Sequence, residues 1–437
     1  MSQALEGIHV IDISQVIGVP LAARHLADFG AEVIHIENPE AGDSWRAYQA
    51  GFGGMTGVPS PINYNWEAYN RNKKSMALDL SQEEGRDILY RLVAASDVLV
   101  TNLRVYEREK FGITYELLHR INPRLIFGSL TGHGQNGPDR DMPAYDHTSA
   151  WYRAGLHYLL SLPGIPCAGF RPGFIDTTAA MSLFAAVMLA LYVREKTGIG
   201  QEVELSLFNI GMYQATFDIA AALATGKDYK EWAKLHDDEN DPLVKQRRQA
   251  QAEAQVALDR LLDIYGQERL NPTAADYMTK DGRRILLNVL QPDRYWSKIC
   301  QALGQPDLEH DSRFESHETR LQNHVALYGI MKEAFGSRPL EEWQARLKQA
   351  GIPFGVEQKP AEVVNDPQAR ANDYFVPFDH PTYGRIEVLA SPLKMSQTPS
   401  SIRMPAPEFS QHTEEILLEL GYTWEDLSRF KQRRLIP

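Results

Sequence analysis

The sequence predicts an α/β fold: a large domain with a mostly parallel sheet, built from both ends of the chain, and a smaller central α+β domain. Three observations predict it. Short β-branched runs alternate with segments of helical spacing from Ile8 to Leu130, as expected of strands joined by crossover helices. A charged stretch from about Lys227 to Gly266 interrupts that alternation, and a unit of different composition begins at Asn271-Pro272. At 437 residues the chain also exceeds one ordinary domain. The expected division is residues 1–225 as the first part of the large domain, 226–350 as linker helices and small domain, and 351–437 as the return to the large domain.

Ile8-His9-Val10-Ile11-Asp12-Ile13 reads as the first strand. Leu21 to Phe29 has helical spacing, with Gly30 where a C-terminal cap belongs. Ala31 to Glu37 is the second strand. A helix from about Ser81 to Ala95, the strand Val98-Leu99-Val100, a helix near Tyr115 to Arg120 and the strand Arg124 to Leu130 follow. The crossovers should be right-handed. In the central unit, Lys280-Asp281-Gly282 reads as a hairpin turn entering the strand Ile285 to Val289, with helices after it, one of them from about Leu340 to Ala350. From Gly351 the chain looks rich in strands and loops, and a helix from His412 to Leu420 closes it. The charged stretch Lys227–Gly266 reads as a solvated linker and surface helix.

Hydrophobic residues make up 43% of the chain and charged residues 23%, the proportions of a globular protein. A net charge of −12 excludes nucleic acid as the main partner, though a local basic patch still suits an anionic ligand. Cys167 and Cys300 are too few for a disulfide framework, which points to a reducing, cytoplasmic setting. Met1 to Gly7 lacks the plan of a signal peptide. The apolar run 179–193 is short for a membrane span and reads as a core helix. A soluble protein with no membrane partner is expected.

The segment Gly173-Phe174-Ile175-Asp176-Thr177-Thr178 carries the most chemistry. It precedes an apolar run in which only Ser182 is polar, so that helix should be covered nearly all round. A carboxylate at its start would meet unpaired N–H groups and the positive end of the macrodipole, which favours the ionised form. The same position suits a plain N-cap, for which Asp is a preferred residue. On these residues alone both readings stand.

Gly132-His133-Gly134-Gln135-Asn136-Gly137-Pro138 follows a predicted strand, where glycines permit a tight turn or close backbone approach to a ligand. It is neither a dinucleotide fingerprint nor a phosphate loop. The first turn, Ser14 to Pro20, has one glycine, which argues against a dinucleotide site despite Glu37 at the end of the second strand. The histidines are scattered, so no metal site is expected, and no G-x-S-x-G elbow occurs. Basic residues gather in Asn70 to Ser75 and in Arg104 to Lys110; either group suits phosphate, and a solvated face is the plainer reading.

In order, these segments resemble the class III CoA-transferase family, which includes formyl-CoA and L-carnitine CoA-transferases and the related α-methylacyl-CoA racemases. Leu5 to Asp12 with Leu26 to Ile34, Gly42-Asp43, Asn70 to Leu80, Asp97 to Asn102, Asn122 to Ile126, Gly132 to Pro138, Arg194 to Gln201 and His412 to Glu415 carry the likeness over nearly the full length. It implies a Rossmann-like arrangement of the large domain and an interlocked homodimer. It implies an acyl-CoA and a carboxylic acid acceptor as substrates, with coenzyme A entering as a thioester and no cofactor bound permanently. Asp176 falls on the family's nucleophile. The implied route is attack on the donor thioester, an aspartyl anhydride, an aspartyl-CoA thioester, and then attack by the acceptor. N–H groups near Asp176 or in the Gly132–Gly137 loop would stabilise the oxyanions.

Racemases of this type carry a histidine where this chain has Tyr145, and a tyrosine hydroxyl is a poor proton shuttle at neutral pH. Acyl transfer is therefore favoured over isomerisation, and over a catalytically silent CoA-binding subunit, which would not need Asp176. Arg104 and Lys110 align with basic CoA-contacting positions, and Tyr145, Gly134 and Gln135 complete the expected binding set; Asp146 is an orienting residue or a turn residue. The chain departs from relatives at Asn38, often Arg, and at Ile17, a Gln in formyl-CoA transferases, and no glycine-rich lid lies between Ala221 and Asn271. These departures disfavour formyl and oxalate and leave carnitine-like or larger apolar carboxylates. Trp45, Tyr48, Trp66 and Tyr152 are further pocket candidates.

Overall fold

Successive residues of a strand point to opposite faces of its sheet, and the strands of the first unit are apolar on both. Val10, Val98, Val100 and Ile126 enter one core, and Ile11, Ile13, Leu99 and Phe127 enter the other. Such strands require cover on two sides. A computed structural model describes this arrangement for residues 3–50, 58, 60–161, 173–227, 271–289 and 291–437. The expected solvated linker and Cys167 lie outside the described residues.

The described chain forms two units, residues 1–229 with 368–437, and residues 230–367. The first holds strands β1 (His9–Ile13), β2 (Glu32–Glu37), β3 (Lys73–Ala77), β4 (Val98–Thr101), β5 (Ile126–Thr131) and β6 (Glu202–Ser206). They form one sheet in the order β3-β2-β1-β4-β5-β6, parallel throughout. This is the doubly wound order, whose direction reverses between β1 and β4.

Helices α1 (Gly18–Asp28), α2 (Tyr64–Asn70), α3 (Glu83–Ala94), α4 (Val105–Phe111), α5 (Tyr115–Ile121), α6 (Leu156–Leu160), α7 (Phe174–Thr197), α8 (Leu207–Gln214) and α9 (Thr216–Thr225) join or follow these strands. On one face α1 and α7 pack together through Ala22, Leu26, Ala180 and Leu183. On the other, Ile88 and Leu92 of α3 meet Ile416, Leu417, Leu427 and Phe430 from the helices Thr413–Glu419 and Trp424–Gln432. The end of the chain thus completes a layer that the first half leaves open. The helix Trp424–Gln432, with its Thr423 cap, was not assigned from sequence.

Four expectations change. Helix α1 begins at Gly18, not Leu21, and α7 runs 24 residues, longer than its apolar run. Nor is α7 covered all round: Leu189, Tyr192 and Val193 face outward, because nothing in the described chain packs on that side. By length and composition α7 is apolar enough to cross a membrane, but its other side is built into the core against α1, β5 and β6. Finally, Asn70 to Ser75 is not a solvated face. It ends α2 and opens β3, with Arg71, Asn72 and Lys73 buried.

The second unit has an antiparallel sheet of β7 (Asp276–Met278), β8 (Arg284–Leu287) and β9 (Phe354–Val356), with the expected turn at Lys280–Gly282 joining β7 to β8. Helices Pro292–Leu303, His324–Gly336 and Leu340–Ala350 cover it around Tyr277, Trp296, Phe335 and Trp343. The segment from Gly351 stays with this unit because β9 pairs with β8, and the chain rejoins the first unit at Gln368. There the hairpin β10 (Phe375–His380) and β11 (Gly384–Leu389) follows.

Candidate active site

In a doubly wound sheet the strand ends on either side of the reversal point part company and leave a crevice. Here the residues after β1, β4 and β5 line a cavity of about 350 Å³, with Gln15, Gly18, Arg104, Gly132, Tyr145 and Asp176 in its wall. The turn after β1 is held by its neighbours. Gln15 donates its N–H to Asn102 Oδ1 (3.0 Å), and Asn102 Nδ2 donates back to the Gln15 carbonyl (2.7 Å). Val16 has φ +73°, which a β-branched residue rarely adopts. Its N–H donates to Asp43 Oδ1 at 3.2 Å.

Beneath that turn lies a buried ionic cluster that sequence reading missed. Asp12 Oδ2 is 2.9 Å from both His35 Nδ1 and Lys73 Nζ, and all three side chains are fully buried. Lys73 also donates to the Pro20 carbonyl and to Asn70 Oδ1, each at 2.8 Å. His35 Nε2 faces Asp43 Oδ2 at 3.6 Å. Burial alone would lower the His35 pKa, but the charge and hydrogen bond of Asp12, with Asp43 and Glu37, raise it to about 9. Burial would raise Asp12, yet Lys73 and His35 hold it well below the usual carboxylate range. The cluster supports Asp43, and Asp43 supports the strained Val16. The available signal was a charged residue at an inward position of each of three strands.

Asp176 is the third residue of α7 and is not its cap. Gly173, in the left-handed region at φ +81°, occupies the N-cap position without a side chain to bond, and Asp146 Oδ2 accepts the N–H of Ile175 at 3.1 Å. Asp146 therefore satisfies the helix end, which leaves the Asp176 carboxylate for the cavity. Loss of solvation, followed by the charge of Asp146, pushes the Asp176 pKa up to about 7. This overturns the expectation that the helix end would favour its ionised form: desolvation and like charge outweigh the dipole. Burial likewise raises Asp146, against the N–H groups of Ile175, Asp176 and Gly173.

The other expected residues separate. Arg104 reaches the cavity, gripped by Glu107 through two hydrogen bonds (Nε–Oε2 3.1 Å and NH2–Oε1 2.7 Å). Tyr145 lines it and is 65% exposed. Gly134 and Gln135 do not line it, and of their loop only Gly132 does. Gln135 turns to the sheet edge, where its N–H and Nε2 donate to Glu204 and Glu202 of β6 at 2.7 Å each, and the Gly134 N–H donates to Thr131 Oγ1. Trp45 and Trp66 are buried together against Ile17, and Tyr152 stacks on His157. The Tyr48 side chain lies outside the described residues.

Lys110 lies in a second cavity of about 600 Å³, which shares Gln15, Leu103 and Glu107 with the first. Glu37 lines it but is already engaged by Arg46 Nε and NH2 (2.7 and 2.6 Å), Ser75 Oγ (2.7 Å) and the Asp43 N–H (2.9 Å). A third cavity, about 500 Å³ and mainly apolar, has Leu21, Tyr69, Thr177 and Met181 in its wall.

Comparison with known proteins bears on this site. A sequence model described as CoA-transferase family III matches residues 5–242 and 250–413. A protein of Clostridioides difficile named (R)-2-hydroxy-4-methylpentanoate CoA-transferase is 30% identical over 434 residues, covering 99% of both chains. Cinnamoyl-CoA:phenyllactate CoA-transferase of Clostridium sporogenes is 30% identical over 98% of this chain and 95% of its own. The crystal structure of a CAIB/BAIF family protein from Brucella suis superposes with a TM-score of 0.75 at 26% identity, covering 96% of this chain and all of that one.

Proposed function

The chain belongs to CoA-transferase family III, and on that premise we propose that it moves CoA from an acyl-CoA donor to a free carboxylic acid through covalent intermediates on Asp176. The observation that carries this reading is the Asp176 carboxylate itself. It is spared from capping, it lines the cavity at the reversal point, and its pKa is about 7.

In the proposed route Asp176 attacks the donor thioester carbonyl, forming an acyl anhydride and releasing CoA thiolate. The thiolate then attacks the aspartyl carbonyl, giving an aspartyl-CoA thioester and the donor acid as carboxylate. The acceptor carboxylate displaces the thiolate to form a new anhydride, and thiolate attack on its acyl carbonyl yields the new acyl-CoA and frees Asp176. The environment of Asp176 suits these steps. A more basic carboxylate is a better nucleophile, and acylation removes a charge that burial and Asp146 both disfavour. The Gly18 end of α1 and Gly132 are the proposed sources of N–H groups for the oxyanions. Arg104, Lys110 and Tyr145 are the proposed contacts along the CoA, its thioester in the first cavity and its nucleotide end in the second.

The proposed acceptors are carboxylic acids with apolar side chains. The two named relatives act on such acids, and the mainly apolar third cavity, beside Thr177, offers room for one. Among the described residues no histidine lines the first cavity, which favours transfer over racemisation. An interlocked homodimer is supported by the outward apolar residues Leu189 and Tyr192 of α7 and Phe217 and Leu223 of α9. The low cysteine count supports a cytoplasmic location.

A matrix of acyl-CoA donors and carboxylic acids, followed by chromatography of the CoA products, tests this function. CoA exchange favouring apolar acids over oxalate is expected. No exchange with any pair, together with deuterium entry at the α-carbon of a 2-methylacyl-CoA, would replace it with an isomerase.

A further inference from the structure

The second cavity is walled by the ends of β2 and β3, the end of α4 and the segment Arg433-Arg434. Most of its polar groups are already satisfied. Besides Glu37, Asp79 accepts from the Ser81 N–H (2.9 Å), Ser81 Oγ (2.6 Å) and Gln82 Nε2 (2.9 Å), and Arg433 pairs with Glu84 at 2.5 Å. Asn38 Oδ1 is taken by the N–H groups of Glu40 and Ala41 (2.9 and 3.0 Å). Among the described residues, Lys110 and Arg434 line this cavity without a carboxylate partner within ion-pair distance. Glu40, also in the wall, is a carboxylate that would oppose an anion there.

Arg434 is held in place by its backbone. It follows the helix Trp424–Gln432 at φ +55°, a left-handed position that glycine occupies at many helix ends. Its N–H donates to the Lys431 carbonyl (2.9 Å), and that of Leu435 donates to Phe430 (2.9 Å). Leu435 and Ile436 are buried in the core, and the Leu435 carbonyl accepts the Asp79 N–H at 3.0 Å. These bonds fix the residue beside the turn that leaves β3, so its guanidinium is the part free to meet a ligand. An arginine kept where glycine fits with less strain suggests a task for the side chain.

We propose that Arg434, aided by Lys110, recognises the phosphomonoester on the ribose of CoA. This rests on the CoA-transferase reading and names a contact within it. Helix α4 carries Glu107 in the wall of both cavities and Lys110 in the second, with Arg104 at its N-cap in the first. Six residues at 1.5 Å each carry it about 9 Å from Arg104 to Lys110. A CoA thioester whose carbonyl meets Asp176 therefore extends along α4 and brings its nucleotide end towards Arg434. A phosphomonoester bears nearly two charges at neutral pH and offers the oxygens an arginine fork grips in pairs.

Steady-state kinetics with one acyl-CoA and its 3′-dephospho analogue test this in wild type, Arg434→Gln and Arg434→Gly. Wild type is expected to prefer the phosphorylated thioester by about tenfold or more in kcat/KM. Both variants should raise KM for acyl-CoA about tenfold while kcat/KM for the dephospho analogue moves less than twofold. Arg434→Gly should also melt no lower than wild type, because glycine accepts the positive φ. Equal effects on the two thioesters, or a wild type indifferent to the phosphate, would overturn the assignment of Arg434 alone. A wild type that binds no CoA thioester by calorimetry would overturn the CoA reading with it.

Discussion

A β-carbon placed on Gly18 would stand 3.1 Å from Asp176 Oδ1 and 2.7 Å from Leu130 Cδ2. The start of α1 thus touches the carboxylate at the start of α7, and the positive ends of two helices converge on one acid. Gly18 is helical, so the demand for glycine here is purely one of space. Gly18→Ala should cost about 1–3 kcal/mol of stability and displace the Asp176 carboxylate. The expected result is a soluble protein with a modestly lower Tm and kcat reduced at least tenfold. A variant of unchanged kcat would mean that the contact has no part in catalysis.

The raised pKa of Asp176 makes it a source of instability at neutral pH. Its ionisation is easier in the unfolded chain, so the folded state gains most from this group below pH 4. That gain is lost as pH rises through about 7. Asp176→Asn removes the group, and with it a penalty on the order of a few kcal/mol above pH 7. Thermal melting should show this variant several degrees more stable than wild type at pH 8, and no more stable at pH 4. It should also be inactive.

The proposed route needs the same carboxylate ionised, so kcat/KM should decline as pH falls below about 7. Burial sets most of that limb and Asp146 adds to it. In Asp146→Asn the amide oxygen still accepts the Ile175 N–H while the charge is gone. The acidic limb of the pH–rate profile should move to lower pH yet stay above that of an ordinary aspartate. An unmoved limb would remove Asp146 from the electrostatics of the site.

The cluster under the first turn should fail at alkaline pH. His35 titrates at about 9 in the folded chain, so its contribution is present below its ordinary value near 6.5 and is lost as pH rises through 9. Lys73→Met leaves Asp12 with His35 as its one ionic partner among the described residues and should destabilise the protein by about 3–5 kcal/mol. Denaturant melts of wild type and His35→Gln between pH 6 and 10 check the sign: stability should fall more steeply with pH in wild type.

Much of this fold could be read from period and punctuation. The alternation of β-branched runs and helical spacing marked β1, β2, β4 and β5 because those strands are buried on both faces. The hairpin at Asp281-Gly282 and the helix Leu340–Ala350 were marked by their own turn and spacing. Helices such as Trp424–Gln432 escaped because they are polar and short, and they are stabilised by packing on a sheet distant in sequence. At the site, Asp176 stood out through the apolar run behind it, but its chemistry depends on Asp146, thirty residues upstream, and on Gly18. Those are contacts of tertiary structure with no local spacing. Gln135 shows the converse: its motif suggested a ligand, while Glu202 and Glu204 of the neighbouring strand claim it.

The most direct test of Asp176 as a covalent nucleophile is peptide mass mapping after incubation with an acyl-CoA and trapping with borohydride or hydroxylamine. The expected result is a modification confined to the peptide bearing Asp176, formed only when the thioester is present and absent from Asp176→Asn. CoA exchange proceeding at full rate with Asp176 never modified, or in the Asp176→Asn variant, would contradict it.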